Sequence, residues 1–189
     1  QVEQEVSNLD IELNGIENAL ANMKYEIAYV SLSGNTEKLA HGIADRFPIK
    51  DIIVTDLMHE KMSKKADVYL LGFGVNKGTM PLKIMEALEE LHGKKIMFFI
   101  TCGMEPEKQY RDMIESKITP FLPEDCDYRG MFMCQGKFPD NVLAAARKKL
   151  QEEPGNKYAE QIILDELSNT HPNETDYDHA YKYILEHIK

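Results

Sequence analysis

The sequence predicts an α/β fold in three layers, a five-stranded parallel sheet between two layers of helices. Short runs of branched and aromatic apolar residues alternate along the chain with stretches whose apolar residues recur every three or four positions, the rhythm of strand followed by helix. Runs such as DVYLLGF and KIMFFIT are apolar almost throughout, as strands buried on both faces must be. At 189 residues the chain suffices for one sizeable core with appendages.

Taken in order, residues 1–22 read as an amphipathic helical extension and residues 23–189 as the domain. In the extension Val2, Val6, Leu9, Leu13, Ile16, Leu20 and Met23 recur at intervals of four and three, a heptad seam. Its charges, Glu3, Glu5, Asp10, Glu12 and Glu17, are all negative. Self-association would set those acids near one another, so packing of the seam on the domain and oligomerisation through it both stay open. Met23 also reads as a start, which would make the segment before it an upstream or non-native extension. Strands are expected at 26–31, 49–54, 67–73, 95–101 and 128–134. Helices are expected at 36–47, 81–92, 107–118 and 139–152, with Pro81 and Pro139 in first-turn positions and Gly93 just past an end. The tail adds a helix at 157–168 and a last one from about Thr175, whose stripe of Tyr177, Ala180, Tyr181, Ile184, Leu185 and Ile188 predicts docking on the sheet.

Composition narrows the function. A net charge of −10, with basic residues interleaved among acids, argues against nucleic acid as a partner. Neither a membrane span nor a secretory leader is evident, so the cytoplasm is the expected location and no membrane partner is expected. The three cysteines stand 24 and 8 residues apart, which fits neither a disulfide framework nor a CxxC metal site, and they read as free thiols.

The most informative stretch is Ser31-Leu32-Ser33-Gly34-Asn35-Thr36, between the first strand and the first domain helix. A turn entering a helix presents backbone N–H groups that lack intrahelical partners, and the helix dipole adds positive potential. Hydroxyls of Ser31, Ser33 and Thr36 and the amide of Asn35 add neutral donors, and Gly34 permits close approach, so the turn suits a phosphate dianion. It is not a P-loop, which needs GxxxxGK[ST], nor a dinucleotide fingerprint, which needs GxGxxG. Two more unusual loops follow the third and fourth strands: Gly74-Val75-Asn76-Lys77-Gly78-Thr79 and Thr101-Cys102-Gly103-Met104. In an open α/β sheet such loops converge at the carboxyl edge, where strand order reverses.

The run S-L-S-G-N-T resembles the phosphate-binding loop of the flavodoxins, [ST]-x-[ST]-G-N-T, at all five specified positions, and the likeness extends from about Lys24 to the last helix. The resemblance implies a flavodoxin-like three-layer fold of strand order 2-1-3-4-5, with FMN as a noncovalent cofactor. It implies that Ser31 to Thr36 hold the phosphate, that Gly74 to Thr79 run along the dimethylbenzene and N5 side of the ring, and that Thr101 to Met104 offer backbone donors to its pyrimidine end. The function implied is electron transfer, as a soluble carrier or the flavin component of a reductase, with a redox partner protein or a small-molecule acceptor. The alternatives are an FMN-dependent NAD(P)H oxidoreductase of quinone-like acceptors and a flavin-free binding module. The sequence departs from the carriers in having no tryptophan and no aromatic in the loop from Gly74 to Met80, which leaves Met80, Met104 or Tyr110 to cover a ring face. Cys102 lacks the CxxxxxR pattern of a phosphatase nucleophile, so no side chain is expected to be catalytic, and no metal site is expected. Gln135-Gly136-Lys137 ends the fifth strand at the same edge, a place peripheral to the ligand.

Overall fold

The computed structural model describes residues 2–48, 52–75 and 77–188. Helix α1 (Val2–Ala21) precedes β1 (Tyr25–Val30), α2 (Asn35–Ala44), β2 (Ile53–Asp56), β3 (Val68–Gly74), α3 (Leu82–Leu88), β4 (Lys95–Cys102), α4 (Lys108–Ile118) and β5 (Asp127–Gln135). Three helices close the chain: α5 (Asp140–Glu152), α6 (Lys157–Ser168) and α7 (Glu174–His187). The strands form one parallel sheet in the order β2-β1-β3-β4-β5, as expected.

Each face of the sheet carries its own core. Tyr69, Leu71, Phe73, Phe98 and Ile100 pack under Ile84 and Leu88 of α3 and Ile114 and Ile118 of α4. On the other face Ile27, Leu70, Met97 and Phe99 meet Leu39, Ala40 and Ile43 of α2 and Ala180 and Ile184 of α7. The predicted stripe of the last helix thus lies on the sheet. Gly42 sets the closeness of α2 and α7, since a Cβ there would stand 2.3 Å from Cγ of Tyr177. Arg46, in the turn just past α2, clamps the pair by donating to Asp178 and Glu174, each at 2.6 Å. A reciprocal capping box between Asn173 and Asp176 starts α7.

Beyond α2, which ends at Ala44 and not at residue 47, four features differ from the expectation or add to it. First, β2 runs two residues further than 49–54; residues 49–51 lie outside the described residues. Thr55 is drawn into the strand because its hydroxyl donates at 2.7 Å to Glu26, a fully buried carboxylate that also accepts from the backbone N–H and hydroxyl of Ser63. Second, α3 stops at Leu88, short of residue 92, because Glu90 and Leu91 bond to carbonyls three residues back and tighten the chain out of the α-helix. Pro81 and Pro139 stand at the N-caps of α3 and α5, one residue before the first turn. Third, α5 and α6 pair with each other around Leu143, Ala146, Ala159 and Ile162, a small core separate from the sheet's two. Fourth, of the alternatives left open for the seam of α1, its described first half is not packed on the domain: Val2, Val6, Leu9 and Leu13 are all more than half exposed, whereas Met23 beyond the helix packs against the second core.

Candidate functional site

The sheet brings the predicted loops to one edge. β1 ends at Val30 and pairs with Phe73, one residue before the end of β3, and Gly74 pairs with Thr101 near the end of β4. The loops after these three strands therefore leave at one level, at the reversal of strand order between β1 and β3. Thr36 on the first turn of α2 and Thr101 on β4, both buried, join hydroxyls at 3.0 Å. A Cβ on Gly74 would stand 3.3 Å from Thr101 Oγ1 and 3.8 Å from Thr36 Oγ1, so a glycine fits between them. Val75 N–H donates to the Thr101 carbonyl at 2.9 Å and ties the start of the third-strand loop to β4.

At the first loop Gly34 adopts φ 86°, the left-handed region, and turns the chain into α2. Ser31 Oγ accepts from the backbone N–H of Gly34 at 3.1 Å and of Glu37 at 3.2 Å, which leaves its own hydrogen to donate. The backbone N–H groups of Asn35 and Thr36 have no partner among the described residues. They are the orphan donors that an oxyanion satisfies at a helix start. Leu32 projects into solvent, and Ser33 is exposed beside it.

Asn35 does something other than offer its amide to a ligand. Both hydrogens of its Nδ2 are engaged, one to Ser33 Oγ at 3.0 Å and one to the Lys137 carbonyl at 2.6 Å. Its side chain braces the loop after β1 against the loop after β5, and its backbone N–H is what remains for an anion. The second loop is itself pinned: Gly136 N–H donates to the Cys102 carbonyl at 2.7 Å, Gln135 Nε2 to the Gly103 carbonyl at 3.1 Å, and Asn169 Nδ2 to the Gly136 carbonyl at 2.9 Å. Phe138 sits against Gly103, where a Cβ would stand 2.3 Å from its ring. Gln135 to Lys137 thus belong to the site's frame, and Phe138 and Asn169 join them without any local sequence signal.

The third-strand loop is placed differently from the rest. Asn76 lies outside the described residues. Lys77 and Gly78 both take positive φ, 52° and 75°, and a Cβ on Gly78 would stand 3.3 Å from Lys117 Nζ on α4, a cation the sequence did not single out. Met80 is 2% exposed within the core and cannot cover a ring face; Tyr110 is half-buried against the same core, and Met104 is 42% exposed. Cys102 is buried, and desolvation pushes its thiol up to about 12, so it carries no thiolate at neutral pH. Burial, with Glu37 adding to it, pushes the Tyr29 hydroxyl up to about 12. Among the described residues no group of three His, Cys, Asp or Glu is placed to hold a metal ion, and no helix is long and apolar enough to cross a membrane.

The flavodoxin domain family matches residues 26–185, from the second residue of β1 through most of the last helix. The chain belongs to that family. It is 34% identical over 160 residues to the flavodoxin-like domain-containing protein BilS of Clostridioides difficile (strain CD3), a match covering 82% of this chain and 90% of that protein. It is 28% identical over 181 residues to BilS of Clostridium symbiosum (strain WAL-14163), covering 86% and 94%. Among solved structures it is similar to a flavoprotein in complex with FMN from Lactobacillus acidophilus NCFM, at 16% identity and a TM-score of 0.49, covering 59% of this chain and 93% of that one. Membership places the chain among flavoprotein electron carriers in the general sense, on a flavodoxin-like fold.

Proposed function

We propose that this chain binds FMN noncovalently and works in electron transfer, as a soluble carrier or as the flavin component of a reductase. The observation that carries the reading is the pair of unpartnered N–H groups at Asn35 and Thr36, set among the uncharged hydroxyls of Ser31, Ser33 and Thr36 at the edge where three loops meet. Such donors suit a phosphate monoester, whose charge the helix start stabilises without a lysine or arginine. FMN when bound supplies the redox chemistry. The chain's own share is to hold the phosphate with residues 31–36, to flank the ring with residues 74–79, and to aim backbone donors from residues 101–104 at its pyrimidine end. Gln135 and Gly136 engage the Gly103 and Cys102 carbonyls from behind, which fixes the attitude of that last loop.

One observation favours the second reading, an FMN-dependent NAD(P)H oxidoreductase of quinone-like acceptors. With Met80 buried and no aromatic in the loop after β3, a ring face stays open to a nicotinamide or a flat acceptor. Reconstitution with FMN, desalting and anaerobic reduction separate the readings. Yellow protein bleached only when a separate reductase is supplied supports the carrier, and bleaching by NADH or NADPH alone supports the oxidoreductase. Protein left colourless after desalting overturns both in favour of a flavin-free module.

A further inference from the structure

Helix α1 carries an apolar seam that nothing among the described residues covers. Val2, Val6, Leu9 and Leu13 are 73, 52, 57 and 51% exposed. Along the sequence the alternation of four and three continues through Ile16 and Leu20, so a heptad written over α1 puts Val2, Leu9 and Ile16 at d and Val6, Leu13 and Leu20 at a. In that frame Glu3, Asp10 and Glu17 fall at e, and Glu5 and Glu12 fall at g. These five are all the charged residues of the helix; its outer b, c and f positions carry none. A helix that merely needs solvation spreads charge over its outer face. This one confines negative charge to the two borders of its seam.

That arrangement decides against a second copy. Parallel pairing of two α1 helices sets e against g, and antiparallel pairing sets e against e and g against g; every such contact here opposes two acids or leaves one unpaired. A helix with lysine or arginine at e and g removes the repulsion, replaces it with ion pairs and buries the same apolar seam. We infer that α1 is one half of a heteromeric helical interface, and that its partner is a protein presenting an amphipathic helix with an apolar a/d seam bordered by basic residues. The chain passes from α1 into the amino end of β1, whereas the candidate flavin loops leave the carboxyl ends of the strands. A partner held on the α1 seam uses none of the candidate flavin residues, while its local concentration at the domain rises. The inference rests on α1 alone and stands whether or not FMN binds.

The test titrates the full chain with two synthetic three-heptad peptides, each with leucine at a and d, one with lysine and the other with glutamate at e and g. The expected result is binding of the lysine peptide at least about tenfold tighter than the glutamate peptide at low salt, from five exposed ion pairs of ordinary size, with the preference shrinking as NaCl is added. The unmodified chain is expected to sediment as a monomer. The variant L9D/L13D is expected to lose the peptide while keeping the circular dichroism of the domain. The variant carrying E3K, E5K, D10K, E12K and E17K is expected to reverse the preference. Equal affinity for the two peptides, affinity for neither, or a stable homodimer of the unmodified chain would overturn the inference.

Discussion

Thr36→Val tests the phosphate loop most sharply, because it separates the bond to Thr101 that the structure shows from the donation to phosphate that we propose. The substitution keeps the shape of a side chain that is 2% exposed and removes only the oxygen, which stands 3.0 Å from Thr101 Oγ1. Losing that neutral hydrogen bond costs the apo chain about 1 kcal/mol in urea unfolding, since a buried partner is left unmade. The proposed donation to a phosphate dianion is a charge-assisted bond of about 1.5–3 kcal/mol, so the dissociation constant for FMN should rise about 10- to 150-fold. Adding Thr101→Val removes the other partner and should return most of the lost stability, because deleting both members of a buried pair is nearly neutral. It should not return the affinity. Quenching of FMN fluorescence reads the one quantity and urea unfolding the other. If single and double variants bind FMN as tightly as the parent, the Thr36 hydroxyl has no part in holding phosphate and the reasoning fails.

Three other perturbations bear on the frame of the molecule. Glu26→Ala strands the donors of Thr55 and Ser63 in a buried site and should lower stability by about 2–4 kcal/mol, with the loop around Ser63 the first region to lose hydrogen-exchange protection. Gly136→Ala puts a Cβ 2.9 Å from Asn35 Cγ; the clash should cost about 1–3 kcal/mol and weaken FMN binding through a displaced loop, without altering any predicted contact residue. Burial favours the neutral thiol of Cys102, so the unfolded chain ionises first, near 9.0, and the folded chain only near 12. Unfolding then releases a proton, and stability should fall as pH rises above 9.0, by about 1.4 kcal/mol per unit for this group. Cys102→Ala should flatten the slope by one proton's worth, and an unchanged slope would show that the thiol titrates alike in both states.

The fold was legible wherever its cause is local. Continuous apolar runs announced strands buried on both faces, and the stripe from Tyr177 to Ile188 announced a helix docked on the sheet, as found. The loop from Ser31 to Thr36 was legible because hydroxyls, a glycine and a helix start fall within six residues. What escaped is what the chain assembles from a distance. Asn35 and Lys137 are 102 residues apart, and nothing near Asn35 in sequence says that its amide braces another loop. Glu26 sits inside an apolar strand, and its partners Thr55 and Ser63 are 29 and 37 residues on. Phe138 reads as an ordinary aromatic until the bare backbone of Gly103 makes room for it. The seam of α1 was visible from its spacing, but spacing alone does not say what covers Val2, Val6, Leu9 and Leu13, which stand exposed among the described residues.

The central claim is that uncharged donors at the start of α2 grip a phosphate, and calorimetric titration of the apo chain with FMN and with riboflavin tests it most directly. The two ligands share the ring and differ in the phosphate alone. FMN is expected to bind at least about 100-fold more tightly than riboflavin, from two or more charge-assisted hydrogen bonds. Equal affinities, or no heat from FMN at all, would contradict the claim.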